Sequence, residues 1–152
     1  MRIMLAIDSS RHSEAAVQSV AERPWPADSV VRVFSVLSDV PPPAAKLWSD
    51  FSGDLKRLRA HRREEARQLV ADAAALLGAR GIRAETLIAD GSPTRRIIEQ
   101  AKEWKADLIV LASHWRTAWE RWIAGSVSMA VLRHAACTVE IYRDTRPVVR
   151  TE

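Results

Sequence analysis

Leu108-Ile109-Val110-Leu111 is a run of four large apolar residues with no polar position in it. A half-solvated strand alternates apolar and polar residues, and a surface helix repeats its apolar positions every three or four. A short continuous run bounded by polar residues has the length and composition of a strand buried on both faces. Arg2 to Ile7 has the same character, and Ser29 to Val36 is rich in β-branched residues. Ile82 to Ile88 and Ala136 to Tyr142 complete a set of five expected strands.

Helical patterns separate these strands. Ser9 or Ser10 caps a helix carrying Glu14, Ala15, Val17 and Val20, and Pro24 and Pro26 end it. Leu37 to Asp50 contains Pro41-Pro42-Pro43 and reads as a loop. Phe51, Leu55, Leu58, Ala66, Leu69, Ala73 and Leu76 then recur at helical steps, with Gly78 and Gly81 as the end signal. Asp90-Gly91-Ser92-Pro93 is a turn, with Ser92 as N-cap and Pro93 in the first helical position. That third helix runs through Ile97, Ile98 and Ala101 to Trp104, and a fourth runs from Ser126 to Arg133.

The resulting order, β-α-β-α-β-α-β-α-β, predicts an α/β fold: one doubly wound, five-stranded parallel sheet with helices on both faces. In such a sheet the strand order reverses, and a cleft opens at the carboxyl ends of the first and fourth strands. Asp8 ends the first of these strands, and Ala112 and Ser113 end the fourth. With 152 residues one domain is expected. It covers residues 1–143, and a polar tail covers 144–152.

Composition narrows the classes. No apolar run approaches the ~20 residues needed to cross a bilayer, and MRIMLAID lacks the apolar core and cleavage site of a signal peptide. A lone cysteine, Cys137, permits no internal disulfide, so a cytoplasmic setting is expected. A net charge of +4 permits acidic partners without demanding nucleic acid. Within the basic run Lys56 to Arg67, Glu64 and Glu65 balance a solvated face, with nucleic-acid contact as the alternative.

Gly125-Ser126-Val127-Ser128 opens the last helix after a loop that leaves a strand. Free N–H groups and the helix dipole favour an anion there. The other reading is a plain N-cap whose glycine serves packing. Asp8 has two readings as well: a partner for a ribose, adenine or metal, or a cap for the following helix. Trp115, Trp119 and Trp122 share one helical face, so Ser113 to Trp122 can form a short helix instead of a phosphate-wrapping loop. That face either stacks a base or partner, or packs over the cleft. His114, Arg116 and Arg121 meet an anion or form a solvated edge. His12, His61 and His134 have no metal-ligand spacing, and Cys137 reads as an inert thiol. No nucleophile with a base, no paired carboxylates and no Walker-type loop are visible.

Several motifs combine into a family resemblance. They are Ile7-Asp8-Ser9-Ser10, Gly91-Ser92-Pro93, Asp107-Leu108-Ile109-Val110, Gly125-Ser126-Val127-Ser128 and the ending Val131-Leu132-Arg133-His134-Ala135. Together, from Ile3 to Arg143, they resemble the universal stress protein family. The resemblance implies a Rossmann-like, adenine nucleotide α-hydrolase-like fold and a cleft that takes ATP with its Mg. Members with bound ATP carry a glycine, two residues, a second glycine, nine residues, then glycine and serine or threonine. On this chain the last pair falls on Gly125 and Ser126, but the first glycine falls on Ala112 and the second on Trp115. By resemblance, Ala6, Asp8 and Val36 serve the adenine and ribose. Ser126, Val127 and Ser128 serve the phosphates through backbone donors.

Two functional expectations follow. One is a stress-response module that acts through protein contacts, its nucleotide binding weakened or lost with the glycines. The alternative is an ATP-binding member of the family. Neither is an enzyme beyond a slow ATPase. A homodimer through the fifth strand, Ala136 to Tyr142, is expected because that strand should lie at a sheet edge that invites pairing, as the resemblance also implies. An unknown protein partner is expected as well, and composition argues for neither nucleic acid nor membrane. Glu140 stands in that strand where the family is apolar, and near a two-fold axis it would approach its own copy.

Overall fold

A computed structural model describes residues 1–38, 52–112 and 126–143. The Pro41-Pro42-Pro43 loop, Ser113, His114, Trp115, Arg116, Trp119, Arg121, Trp122, Gly125 and the tail fall outside the described residues. Five strands and four helices are described: β1 (Arg2–Ala6), α1 (Arg11–Ala21), β2 (Val30–Leu37), α2 (Ser52–Ala79), β3 (Arg83–Asp90), α3 (Pro93–Glu103), β4 (Leu108–Ala112), α4 (Ser126–His134) and β5 (Thr138–Tyr142). Each matches an expected element, with ends displaced by a residue or two. All four pairings are parallel, and the strand order is β3-β2-β1-β4-β5.

Strand periodicity divides the core between the two faces of the sheet. Ile3, Leu5, Val31, Val33, Leu108 and Val110 face α1 and α2, where they meet Val17, Val20, Val70 and Leu77. Met4, Phe34, Ile109 and Leu111 face the other way, toward Ile97 and Ala101 of α3 and Val131 of α4. β1 and β4 therefore need apolar residues at nearly every position, which is why they carry the runs Ile3-Met4-Leu5-Ala6 and Leu108-Ile109-Val110-Leu111. Each such side chain fully buried contributes about 1.5–3 kcal/mol.

Local chemistry sets the helix ends. Ser10 caps α1, its hydroxyl accepting from the Ser13 N–H. Ser92 occupies the N-cap position of α3 with Pro93 next to it, but makes no side-chain cap bond. Gly78 lies inside α2, so it does not end the helix as expected. Gly81 does that with φ +76, a conformation that disfavours any Cβ. It lets the Ile82 N–H reach back to the Leu77 carbonyl at 3.0 Å.

Glu140 has a partner within the chain. Its Cα partner across the ladder is Val110, so it belongs to the α1 side of the sheet. There Arg23, just beyond α1, donates to both carboxylate oxygens at 2.6 and 2.5 Å. The Arg23 guanidinium also lies 5.7 Å from the centre of the Trp25 ring. The charge that would have met its own copy is thus matched within one chain. These hydrogen bonds hold the Glu140 carboxyl below the ordinary glutamate range, against the upward pull of partial burial.

A carboxyl whose folded pKa is lowered stabilises the fold above its unfolded pKa and loses that contribution as pH falls through the folded value. Glu140→Gln should therefore be less stable than wild type at pH 7, and the gap should narrow as pH falls below about 4. Both side chains keep about a third of their surface in water (32% and 34%). The gap at pH 7 should accordingly be about 1 kcal/mol or less. Urea midpoints at pH 7 and pH 3 measure it, and a gap undiminished at pH 3 would contradict this origin.

Candidate functional site

β1 and β4 are neighbours at the centre of the sheet. The chain leaving β1 turns to α1 on one face, and α4 lies on the opposite face. The carboxyl ends of the two strands therefore open a crevice. A cavity of about 370 Å³ occupies it, within the range typical of small-molecule sites.

Seven of the eight residues assigned by resemblance line this cavity: Ala6, Asp8, Val36, Ala112, Ser126, Val127 and Ser128. The eighth, Gly125, lies outside the described residues. The seven come from the ends of β1, β2 and β4 and the start of α4, and the sheet register brings them together. Ala6 pairs with Phe34 on one side and with Leu111 on the other, both of which also line the cavity. The small side chain of Ala6 leaves space between two larger ones. Phe34, Leu111, Ile97 and Val36 make an apolar wall, while Asp8, Ser13, Ser38, Ser126 and Ser128 supply polar edges. Such a cavity accepts a flat, largely apolar group with polar atoms at its rim.

Asp8 is tied into the turn before α1. Its Oδ1 accepts from the Ser10 N–H at 3.0 Å and from the Ser13 hydroxyl at 2.7 Å. Its own N–H donates to Ser13 Oγ at 3.0 Å. Asp8 thus shapes the turn without being the cap itself, a role that belongs to Ser10. Held this way, the exposed carboxylate has a fixed position at the cavity mouth. Ser13 is buried beneath it. Sequence reasoning passed over Ser13 because a serine in a first helical turn looks ordinary; its spacing of three from Ser10 and five from Asp8 was the available signal.

At the far end, α4 begins with exposed Ser126 and buried Ser128. Its first N–H groups have no intrahelical acceptor, so this end of the cavity favours negative charge. Asp8 is the one acidic side chain among the described lining residues. No three His, Cys, Asp or Glu side chains gather as metal ligands among the described residues. Cys137, half-buried just before β5, has its thiol pushed up by burial and then by the charge of Asp107, which disfavours the reactive thiolate. No described helix is long and apolar enough to cross a membrane.

Known proteins share this fold. The model of the universal stress protein family matches residues 1–143. A universal stress protein of Methanocaldococcus jannaschii is 29% identical over 146 residues, covering 93% of this chain and 81% of its own. The structure of an Arabidopsis thaliana universal stress protein family member with AMP bound superposes with a TM-score of 0.69 at 18% identity, covering 100% of this chain and 95% of that one. A universal stress protein in complex with cAMP gives a TM-score of 0.65 at 21% identity, covering 94% and 96%. With the family match spanning nearly the whole sequence and the same fold in these structures, the chain belongs to the universal stress protein family.

Proposed function

We propose that this protein is a stress-response module that binds an adenine nucleotide weakly, mainly through the adenosine half, and acts through protein contacts without catalysing a reaction. The observation that carries the reading is the convergence of Ala6, Asp8, Val36, Ala112, Ser126, Val127 and Ser128 on one cavity of about 370 Å³. Its apolar wall suits a base and its Asp8 rim suits ribose hydroxyls. The α4 N-terminus suits one phosphate. AMP and cAMP, the ligands of the two structural relatives, each carry a single phosphate. A triphosphate needs more backbone, and Ala112 and Trp115 stand where ATP-binding members have glycine. Mg would accompany a triphosphate, with Asp8 the acidic side chain nearest to hand among the cavity's described residues.

The Ser13 hydroxyl donates to the Asp8 carboxylate and accepts the Asp8 N–H, so it is engaged in shaping the turn at the cavity mouth. AMP tests the reading. At about a hundred times its Kd, AMP should stabilise the protein by about 2.7 kcal/mol, a rise in melting temperature of about 5–10 °C. Ala6→Phe fills the gap between Phe34 and Leu111 and should abolish the rise. An undiminished rise in that variant would place the nucleotide elsewhere.

The dimer is part of the proposal. β5 stands at the edge of the sheet beside β4 alone, and an uncovered edge invites pairing with a second copy. Half-buried Val139 and Ile141 lie on that strand. Light scattering at micromolar concentration should give a dimer mass, and Val139→Lys with Ile141→Lys should give a monomer. A wild-type monomer, or a dimer untouched by both lysines, would refute this interface.

A further inference from the structure

A second cavity of about 390 Å³ lies beside the first, sharing Ser38 with it, and its chemistry is different. It sits where α2 passes the carboxyl ends of β2 and β3, between Leu37 and Asp90 on the sheet and Arg59, Arg62 and Arg63 on the helix. The three arginines occupy positions i, i+3 and i+4, which share one helical face. Asp90 is engaged by Arg63. Among the described residues, the hydrogen bond of Arg62 is a long one, 3.5 Å to the Ser38 carbonyl oxygen. Among the described residues no carboxylate forms an ion pair with Arg59 or Arg62.

The arrangement is unfavourable for the fold alone. Like charges three and four residues apart repel, and among the described residues one carboxylate, Asp90, offsets one of the three guanidinium groups. Elsewhere on the same basic run, Arg67 pairs with Glu64 and His61 lies by Glu65. Arg62 and Arg63 instead are half-buried against the end of the sheet. Guanidinium groups match phosphate oxygens in geometry and tolerate partial burial.

We infer that Arg59, Arg62 and Arg63 form a second anion site, one that takes a phosphate or short polyphosphate group beside the nucleotide cavity and apart from the α4 end. It does not require the first cavity to hold a nucleotide. The phosphate source is either a free anion or the phosphate chain of a nucleotide reaching past Ser38.

Calorimetric titration of the full chain with inorganic tripolyphosphate at low salt tests the site. Wild type should bind. Arg59→Gln with Arg62→Gln keeps good helix formers and should weaken binding at least about tenfold. Arg57→Gln with Arg67→Gln removes the same charge from outside the cavity and should stay within about twofold of wild type. Saturating adenosine should leave tripolyphosphate binding unchanged. An equal loss of ATP affinity in the Arg59/Arg62 variant would identify a nucleotide as the source, and an unchanged ATP affinity would identify a free anion. No binding by wild type at millimolar tripolyphosphate, equal losses in the two double variants, or displacement by adenosine would each overturn the inference. Failure of adenosine itself to bind would count against the proposed function and leave the tripolyphosphate result standing.

Discussion

Phe34→Ala should cost about 3–5 kcal/mol of stability, a large part of the 5–15 kcal/mol that holds a typical domain together. Phe34 has no exposed surface and packs with Met4, Ile97, Ile109 and Val131 on the α3 and α4 side. Its carbonyl accepts the Ile7 N–H at 2.9 Å, which fixes the end of β1 where the site begins. Alanine keeps that bond but leaves a void under the cavity wall. Its packed neighbours Met4, Ile97, Ile109 and Val131 limit collapse into it. Urea unfolding should show a lower midpoint at an unchanged slope. Val36→Ala, half-buried at the cavity edge, should cost no more than about 1.5 kcal/mol. A Phe34→Ala loss under about 1 kcal/mol would contradict the packing described.

The second large effect concerns affinity. Ala112→Gly with Trp115→Gly should tighten Mg-ATP binding at least about tenfold, or about 1.4 kcal/mol, and leave AMP within about threefold of wild type. Ala112 closes β4, pairs with Tyr142 and lines the cavity. Its Cβ occupies a position at which glycine would let backbone approach a phosphate chain. The argument for Trp115 comes from its place in the motif, where an indole replaces a hydrogen. AMP makes few demands on this segment, so the two ligands separate phosphate wrapping from base binding. No gain for ATP would mean that the missing glycines are not what limits the site; an equal gain for AMP would mean that they limit the adenosine seat instead.

How far the chain could be read in advance depended on the range of the forces involved. Leu108 to Leu111 announced its strand because burial on two faces leaves no room for a polar residue, and that is a local property. The cleft followed from element order, since a doubly wound sheet opens where its strand order reverses. Asp8 divided between two readings because a strand-end carboxylate serves a turn and a ligand with the same atoms. The pairing of Arg23 with Glu140 was hidden by a separation of 117 residues. Nothing in either local sequence announces it; the ladder register and the end of α1 bring the two together. The run Lys56 to Arg67 looked like a uniform solvated face, but tertiary contact turns Arg62 and Arg63 inward and leaves Arg67 outside. A charge pattern gives the sign of a surface, and packing decides which charges meet a cavity.

The central claim is that the cleft grips adenosine and one phosphate while holding a triphosphate poorly. Calorimetric titration of the unmodified protein with AMP and with Mg-ATP, under one buffer and salt condition, tests it most directly. AMP should bind with a Kd of tens to hundreds of micromolar, about −5 to −6 kcal/mol, and Mg-ATP should bind no more tightly than AMP. Mg-ATP binding tenfold or more tighter than AMP, or no heat from either ligand at millimolar concentration, would contradict the account.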